Sequence, residues 1–349
     1  MDTLQQSLLD HLFDNASLYV RALERRQQQF VIQEMSRQAY RSSSFLNERL
    51  HASNDLFYLL PMQETLAHFE AQAVKTHPIH FIFHFAFCGS TLLSRCLDHP
   101  GHTMVYKEPE LLHQISCHLR WPSEPLPDTA LLNFAIYCLQ RTVLPMEVPI
   151  VKPTDSCSNL IHACLSTHPN ARGVVLYCTL DRFLSATLKS PRRRHFIRGM
   201  YSRAVDDFKA VGITFDPGKA SLADAEVSAF VWLSLMFRYR NWLNMAEGRL
   251  LALRMQCWLE KPVAVLRHLS TFMALDIPRK LIEQTVESGA FTRDAKLTSR
   301  VFDQRAYAQQ EEARQMKFHA ELTAGKSWAE KFTRAHPLED TLPHQLVLD

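Results

Sequence analysis

The residues best suited to chemistry surround Gly89, which ends an apolar run and precedes a stretch with helical spacing. Residues 80–97 read HFIFHFAFCGSTLLSRCL, and the apolar run stops at the tetrapeptide CGST. This pattern predicts a strand, a tight turn and the start of a helix. Backbone amides converge at such a turn and the helix dipole adds partial positive charge, so the segment indicates an anion site, most often for phosphate. A plain strand-to-helix turn capped by Ser90 is the alternative.

Further polar residues follow other predicted strands. Lys107 and Glu108 come at the end of TMVYK, Lys152 ends VPIVK, and Arg182 follows VVLYCT. In open parallel sheets, ligands bind outside the carboxyl ends of the strands. The sequence therefore predicts that these residues serve one site together with the Gly89 loop.

The elements that must position these residues alternate between short apolar runs and helical stretches from about residue 77. Alternation of this kind predicts an α/β fold of three layers, with a central parallel sheet flanked by helices. The predicted strands are 80–87, 103–107, 148–152, 174–179 and 250–254, and the predicted helices are 90–98, 130–140, 156–167, 181–189, 223–245 and 262–275. This domain is placed at residues 76–300.

The two ends of the chain lack this alternation. Residues 1–75 show helical periodicity without strand signals, which predicts a helical N-terminal extension in which RRQQQ at 25–29 is a solvated helix face. Residues 301–349 are charged and predict a helical or irregular tail.

Composition excludes several classes of protein. The chain has 349 residues, 46% hydrophobic and 21% charged, and a net charge of +3, which is too small to predict nucleic-acid binding. The first ten residues, MDTLQQSLLD, have no basic start and no apolar core, so no secretory signal is expected, and no apolar run approaches the roughly 18 residues of a membrane span. The eight cysteines contain no C-x-x-C pair and predict free thiols in a reducing cytoplasm. His77, His80 and His84 could suggest a metal site, but no carboxylate or cysteine nearby completes a tetrahedral set, so no metal is expected.

The loop departs from the Walker A pattern G-x-x-x-x-G-K-[ST]. With Gly89 as the second glycine, His84 takes the place of the first glycine and Ser90 that of the lysine. Because that lysine neutralises phosphate charge, kinase-like or ATPase chemistry is disfavoured.

A different family fits the loop better. The segment FCGSTLL at 87–93, followed by LDHP at 97–100, resembles the shorter phosphate loop of sulfotransferases, especially bacterial and Golgi-type members. Lys107-Glu108-Pro109 resembles the glutamate-proline element after their second strand. Residues 174–185 and 250–275 are similar to the strand and helix that hold the nucleotide 3′-phosphate and to the late strand and closing helix. The resemblance spans roughly residues 78–300.

The resemblance implies transfer of a sulfuryl group from 3′-phosphoadenosine 5′-phosphosulfate to a hydroxyl or amine of a small-molecule or peptide acceptor, without a metal. Glu108 is the expected base, with His84, His102 and His113 as alternatives. Lys107 and Lys152 are expected to balance charge on the bridging oxygen. The residues expected to bind the 5′-phosphosulfate are Cys88, Gly89, Ser90, Thr91 and Leu92. The residues expected to bind the 3′-phosphate are Arg182, Ser185, Arg192 and Arg193, the last two within the cluster at 191–194.

Two positions depart from the family pattern. Phe87 stands where the loop usually carries a basic residue, and Cys178 or Thr179 stands where the 3′-phosphate strand usually ends in arginine. Two other functions therefore stay open: a nucleotide- or phosphate-binding module without catalysis and, less favoured, a kinase-like phosphotransferase.

Overall fold

An antiparallel sheet lies in the N-terminal part of the chain. In the computed structural model, which describes residues 3–47, 50, 56–72, 77–123, 125–215, 222–291 and 304–348, the order is β1 (Leu18–Glu24), β2 (Gln29–Glu34) and β3 (Phe57–Pro61). The expectation that residues 1–75 contain no strand is therefore wrong. Aromatic and β-branched residues favour these strands, and the polar residues 25–28 form the turn between β1 and β2, not a helix face.

The central sheet consists of short apolar runs. Four of its five strands have at most one residue that is not buried. Its strands are β4 (His80–His84), β5 (Thr103–Lys107), β6 (Val148–Lys152), β7 (Gly173–Tyr177) and β8 (Leu250–Arg254). They are parallel, in the order β5-β6-β4-β7-β8. This arrangement confirms the predicted α/β fold with a central parallel sheet. The strands are apolar because helices cover both faces of such a sheet, so nearly every strand residue is buried.

Helices connect and flank the strands. In chain order they are α1 (Thr3–Leu12), α2 (Arg37–Ser42), α3 (Met62–Ala71), α4 (Ser90–Cys96), α5 (Glu110–Arg120), α6 (Asp128–Leu139), α7 (Ile161–Ser166), α8 (Leu180–Leu188), α9 (Pro191–Gly199), α10 (Tyr201–Ala210), α11 (Asp224–Met245), α12 (Met255–Glu260), α13 (Pro262–Phe272), α14 (Arg279–Thr285), α15 (Gln304–Lys317) and α16 (His319–Ala335). A 3₁₀ turn, Asp155–Leu160, precedes α7, and a π turn, Val286–Ala290, follows α14. Within the described residues, none of these helices is both long and apolar enough to cross a membrane.

The chain divides into two compact units. The first comprises residues 1–83, 91–173 and 266–288. Its N-terminal sheet and α3 pack on α6 through aromatic rings, since the Phe134 centroid lies 4.7 Å from that of Phe30, in β2, and 5.7 Å from that of Phe69, in α3. Such pairs add to the hydrophobic stabilisation of the core.

The second unit comprises residues 84–90, 174–265 and 289–349. Helix α11 is buried along most of its length and packs on α16, where Phe230 lies 5.9 Å from Trp328. The C-terminal segment pairs with β8, because the Ala252 N–H donates to His344 O and Leu346 N–H to Ala252 O. The predicted boundary near residue 300 lies outside the described residues.

Candidate functional site

The loop between β4 and α4 turns twice through the left-handed region. Phe87 has φ 64° and Gly89 has φ 80°. Glycine adopts this conformation freely, whereas a phenylalanine there is strained, and such strain is concentrated at functional sites. The buried thiol of Cys88 donates to the carbonyl oxygens of Phe85, at 2.8 Å, and Leu176, at 3.3 Å, and so fixes the loop to β7. These contacts give Cys88 a structural role in the loop.

Trp258 of α12 faces this loop. A Cβ atom added at Gly89 would lie 3.9 Å from both Cδ1 and Nε1 of the indole. Trp258 is fully buried, and its Nε1–H finds no acceptor among the residues that the structure describes. A buried donor without a partner costs about 1–3 kcal/mol, so an oxygen-rich ligand at the loop would satisfy it. Sequence reasoning missed Trp258, because nothing in its neighbours distinguishes it from a core residue.

A positive charge lies beside the loop although Phe87 is neutral. The guanidinium carbon of Arg193, in α9, is 4.5 Å from the centroid of the Phe87 ring. Arg193 also donates to the carbonyl oxygen of Ala186 at 2.8 Å, which fixes the start of α9 against α8. A cation over an aromatic face is held by about 0.5–2 kcal/mol. The Phe87 ring therefore positions a cation that the loop itself lacks.

A second group of polar side chains lies on α8. Arg182 Nη1 is 3.0 Å from Glu311 Oε2, and the Ser185 hydroxyl donates to Glu311 Oε1. Arg314 Nη2 lies 2.7 Å from the same Oε2. The structure thus brings together two residues predicted to bind a phosphate, and it places a carboxylate between them.

The rest of the predicted arginine cluster is arranged differently. Arg192 is exposed, whereas Arg194 is paired with Glu321 at 2.5 Å and Asp224 at 3.3 Å. The hydrogen bond to Glu321 is the main cause that raises the pKa of the Arg194 guanidinium. Arg194 therefore ties α9 to α11 and α16.

In the first unit, the carboxyl ends of β5 and β6 carry an ion pair. Lys107 and Lys152 are register partners, and the chain turns at Glu108, whose φ is 57°. Glu108 N donates to Lys152 O at 2.7 Å, and Lys152 Nζ lies 2.5 Å from Glu108 Oε1. The Lys152 side chain is fully buried and that of Glu108 is 14% exposed. The structure thus joins the predicted base to one of the two predicted lysines.

Lys107 belongs to a different network. Its fully buried ammonium lies 2.7 Å from Asp98 Oδ2 and 2.8 Å from Tyr40 O. Arg37 contacts Asp98 Oδ1 at 2.5 Å and Glu147 at 2.7 Å. Burial lowers the pKa of Lys107, although Asp98 opposes this effect. The network ties α2 and the segment after α4 to β5.

The alternative bases also have partners. His84 Nδ1 is 2.9 Å from Phe85 O, and His113 Nδ1 is 2.8 Å from Ser156 Oγ. Ser90, Thr91 and Leu92 form the first turn of α4. Among the described residues, no group of three or more side chains is arranged to hold a metal ion.

Comparison with known proteins returned solved structures only. No family model and no curated protein matches the chain. Three similar structures are sulfotransferases. A sulfotransferase domain from the curacin biosynthetic pathway has a TM-score of 0.41 and 16% identity, and the match covers 76% of this chain and 99% of that one. A sulfotransferase from Alicyclobacillus acidocaldarius has a TM-score of 0.37 and 12% identity, with coverages of 75% and 97%, and mouse sulfotransferase SULT7A1 complexed with PAP has a TM-score of 0.34 and 12% identity, with coverages of 82% and 99%.

Proposed function

We propose that the chain is a sulfotransferase-like enzyme that uses 3′-phosphoadenosine 5′-phosphosulfate to sulfate a hydroxyl or amine. One observation carries the proposal: a single unit holds two neighbouring groups of anion-binding side chains. The first is the Gly89 loop with Arg193 and Trp258, and the second is Arg182 with Ser185. Phe87 and Phe183 link the groups, with ring centroids 6.4 Å apart.

Two neighbouring anion sites favour a nucleotide with phosphates at two positions on its ribose. A linear triphosphate would place its charge along one loop, and the lysine that usually meets it there is Ser90 in this chain. Guanidinium groups and a hydroxyl are typical ligands of a phosphate monoester. The arrangement therefore supports a 3′,5′-substituted adenosine nucleotide more than ATP.

The residues of the loop fit a 5′-phosphosulfate. The Trp258 N–H supplies a donor and the Arg193 guanidinium supplies positive charge around Gly89, and we assign further donors to the backbone amides of the loop. Cys88 through Leu92 remain the proposed contacts along the backbone. In this role Arg193 replaces the cation that Phe87 does not provide, and Arg192 stays exposed to solvent.

The bound donor supplies the sulfuryl group, whose bond to the bridging phosphate oxygen breaks as the acceptor oxygen or nitrogen bonds to sulfur. We assign to Glu108 the acceptance of the acceptor's proton. Lys152 fixes the orientation of that carboxylate through the 2.5 Å ion pair and provides positive charge beside it. Lys107, enclosed by Asp98 and Tyr40, holds the end of β5 in place.

A binding module without catalysis is the second candidate. This candidate is favoured by the ion pair between Glu311 and Arg182, because the carboxylate weakens the electrostatic attraction of Arg182 for a phosphate of the donor. In that case the nucleotide binds but no sulfuryl group is transferred.

Calorimetry together with a transfer assay on the wild type separates these functions, because both candidates bind the nucleotide and only the enzyme transfers the sulfuryl group. We expect the purified chain to bind the sulfonate donor and adenosine 3′,5′-bisphosphate, and to bind ATP weakly. Glu108→Gln should keep the donor affinity while it abolishes transfer to a panel of hydroxyl and amine acceptors. Transfer at the wild-type rate by Glu108→Gln would remove Glu108 as the base, and the absence of any adenine-nucleotide binding would overturn both candidates.

A further inference from the structure

The carboxylate of Glu311 lies where an anionic ligand of α8 would lie. It accepts the Ser185 hydroxyl on one oxygen, and on the other it contacts Arg182 at 3.0 Å and Arg314 at 2.7 Å. The side chains of Arg182, Glu311 and Arg314 are only 13–17% exposed, and Ser185 is buried. Two guanidinium groups and a hydroxyl therefore converge on a single, mostly buried carboxylate.

A phosphate monoester suits the same three donors. It carries about −1.5 to −2 charge and presents three acceptor oxygens, so the Ser185 hydroxyl, Arg182 and Arg314 can each contact an oxygen of its own, whereas the two arginines share one oxygen of Glu311. Carboxylate and phosphate are also the two anions whose geometry a guanidinium fork recognises.

We propose that Glu311 is an internal occupant of the nucleotide 3′-phosphate site, that the 3′-phosphate binds by displacing it, and that Arg314 is a further ligand of that phosphate. The proposal rests on the proposed function, because Arg182 and Ser185 are taken there as the 3′-phosphate ligands. Glu311 and Arg314 belong to α15, which follows the predicted sulfotransferase-like domain in the chain.

The exchange that we propose is a change in the conformation of the Glu311 side chain. Glu311 keeps an exposed fraction of 13%, so its carboxylate has a route to solvent, where hydration replaces the lost hydrogen bonds. The consequence is a competition within one chain. The apparent affinity for a 3′-phosphorylated nucleotide equals the intrinsic affinity multiplied by the fraction of molecules in which Glu311 has left the site.

Two variants test the proposal by calorimetry with adenosine 3′,5′-bisphosphate. Glu311→Gln keeps the size of the side chain and removes its charge, and it should bind the bisphosphate about tenfold more tightly than the wild type. Arg314→Gln should bind it about tenfold more weakly. Adenosine 5′-monophosphate, which lacks the 3′-phosphate, should bind all proteins equally. Glu312→Gln is the matched control, because Glu312 is an exposed neighbour on the same helix, and it should behave as the wild type.

The outcomes are decisive. The proposal is overturned if Glu311→Gln binds the bisphosphate no more tightly than the wild type, or if Arg314→Gln binds it equally well. If the wild type binds the bisphosphate and the variants do not differ, the displacement of Glu311 and the role of Arg314 both fail, while the proposed function stands. If neither the wild type nor Glu311→Gln binds any 3′-phosphorylated nucleotide, the proposed function fails and the exchange fails with it.

Discussion

The pair formed by Glu108 and Lys152 gives a quantitative prediction. Lys152 is fully buried, and its ammonium lies 2.5 Å from a carboxylate oxygen of Glu108, whose side chain is 14% exposed. Removing one partner of a buried ion pair leaves an uncompensated charge and typically costs about 3–5 kcal/mol. Removing both partners leaves no such charge and costs far less.

The structure sets the expected size of each effect. Glu108→Gln keeps an acceptor for the Lys152 ammonium, so we expect it to lower the free energy of unfolding by roughly 2–3 kcal/mol. Lys152→Met fills the space of the lysine stem and leaves a carboxylate with partial access to water, for a cost of roughly 1–2 kcal/mol. The double variant should cost less than the sum of the two, with a coupling of about 1 kcal/mol or more.

Urea unfolding at pH 7 measures the free energy of unfolding of the wild type, the two single variants and the double variant. Glu64→Gln, at an exposed position of α3, is the control and should change stability by less than about 0.5 kcal/mol. Additive costs of the single substitutions would refute the account of a buried, coupled pair. Donor affinity measured on the same proteins separates stability from catalysis, because Glu108→Gln should still bind the donor.

Three further predictions concern the loop and pH. Gly89→Ala should lower the free energy of unfolding, measured in urea, by about 1–2 kcal/mol because its backbone is left-handed, and it should also bind the donor more weakly. Gly101→Ala, at φ 84°, is the control and should lose stability without a change in donor binding. Arg193→Gln should weaken donor binding about tenfold in calorimetry, whereas the exposed Arg192→Gln should not; equal effects would contradict the cation beside Phe87. Burial lowers the pKa of His80 to about 4, so the unfolded state binds the proton more readily than the folded state does. The free energy of unfolding should therefore fall by about 3 kcal/mol in all as the pH drops from 6.5 through 4. In His80→Asn, unfolding measured as a function of pH should show a weaker dependence of stability on pH over this range.

The central sheet was predictable because its strands are short apolar runs separated by clear turns. The bounds predicted for 103–107, 148–152 and 250–254 coincide with β5, β6 and β8. The first strand was predicted too long, since β4 ends at His84 and Phe87 belongs to the loop. An apolar residue in a left-handed conformation leaves no signal in the pattern, because its side chain is as hydrophobic as that of a strand residue.

The N-terminal sheet was missed for a related reason. The spacing of Leu23, Phe30 and Met35 fits a helix, but these residues lie on or just after two strands joined by a polar turn. In the candidate site, the pattern indicated the loop, Glu108 and Arg182, which all follow strands. It did not indicate Glu311, which contacts α8 across more than a hundred residues of sequence, since such contacts arise only from tertiary packing.

The proposed function requires that this chain bind an adenosine nucleotide through a separate 3′-phosphate. The most direct measurement is the ratio of the dissociation constants of adenosine 5′-monophosphate and adenosine 3′,5′-bisphosphate for the wild-type protein. We predict that the bisphosphate binds at least about tenfold more tightly, and that Arg182→Gln abolishes this preference. Equal affinity for the two nucleotides, or the same preference in Arg182→Gln, would contradict the claim.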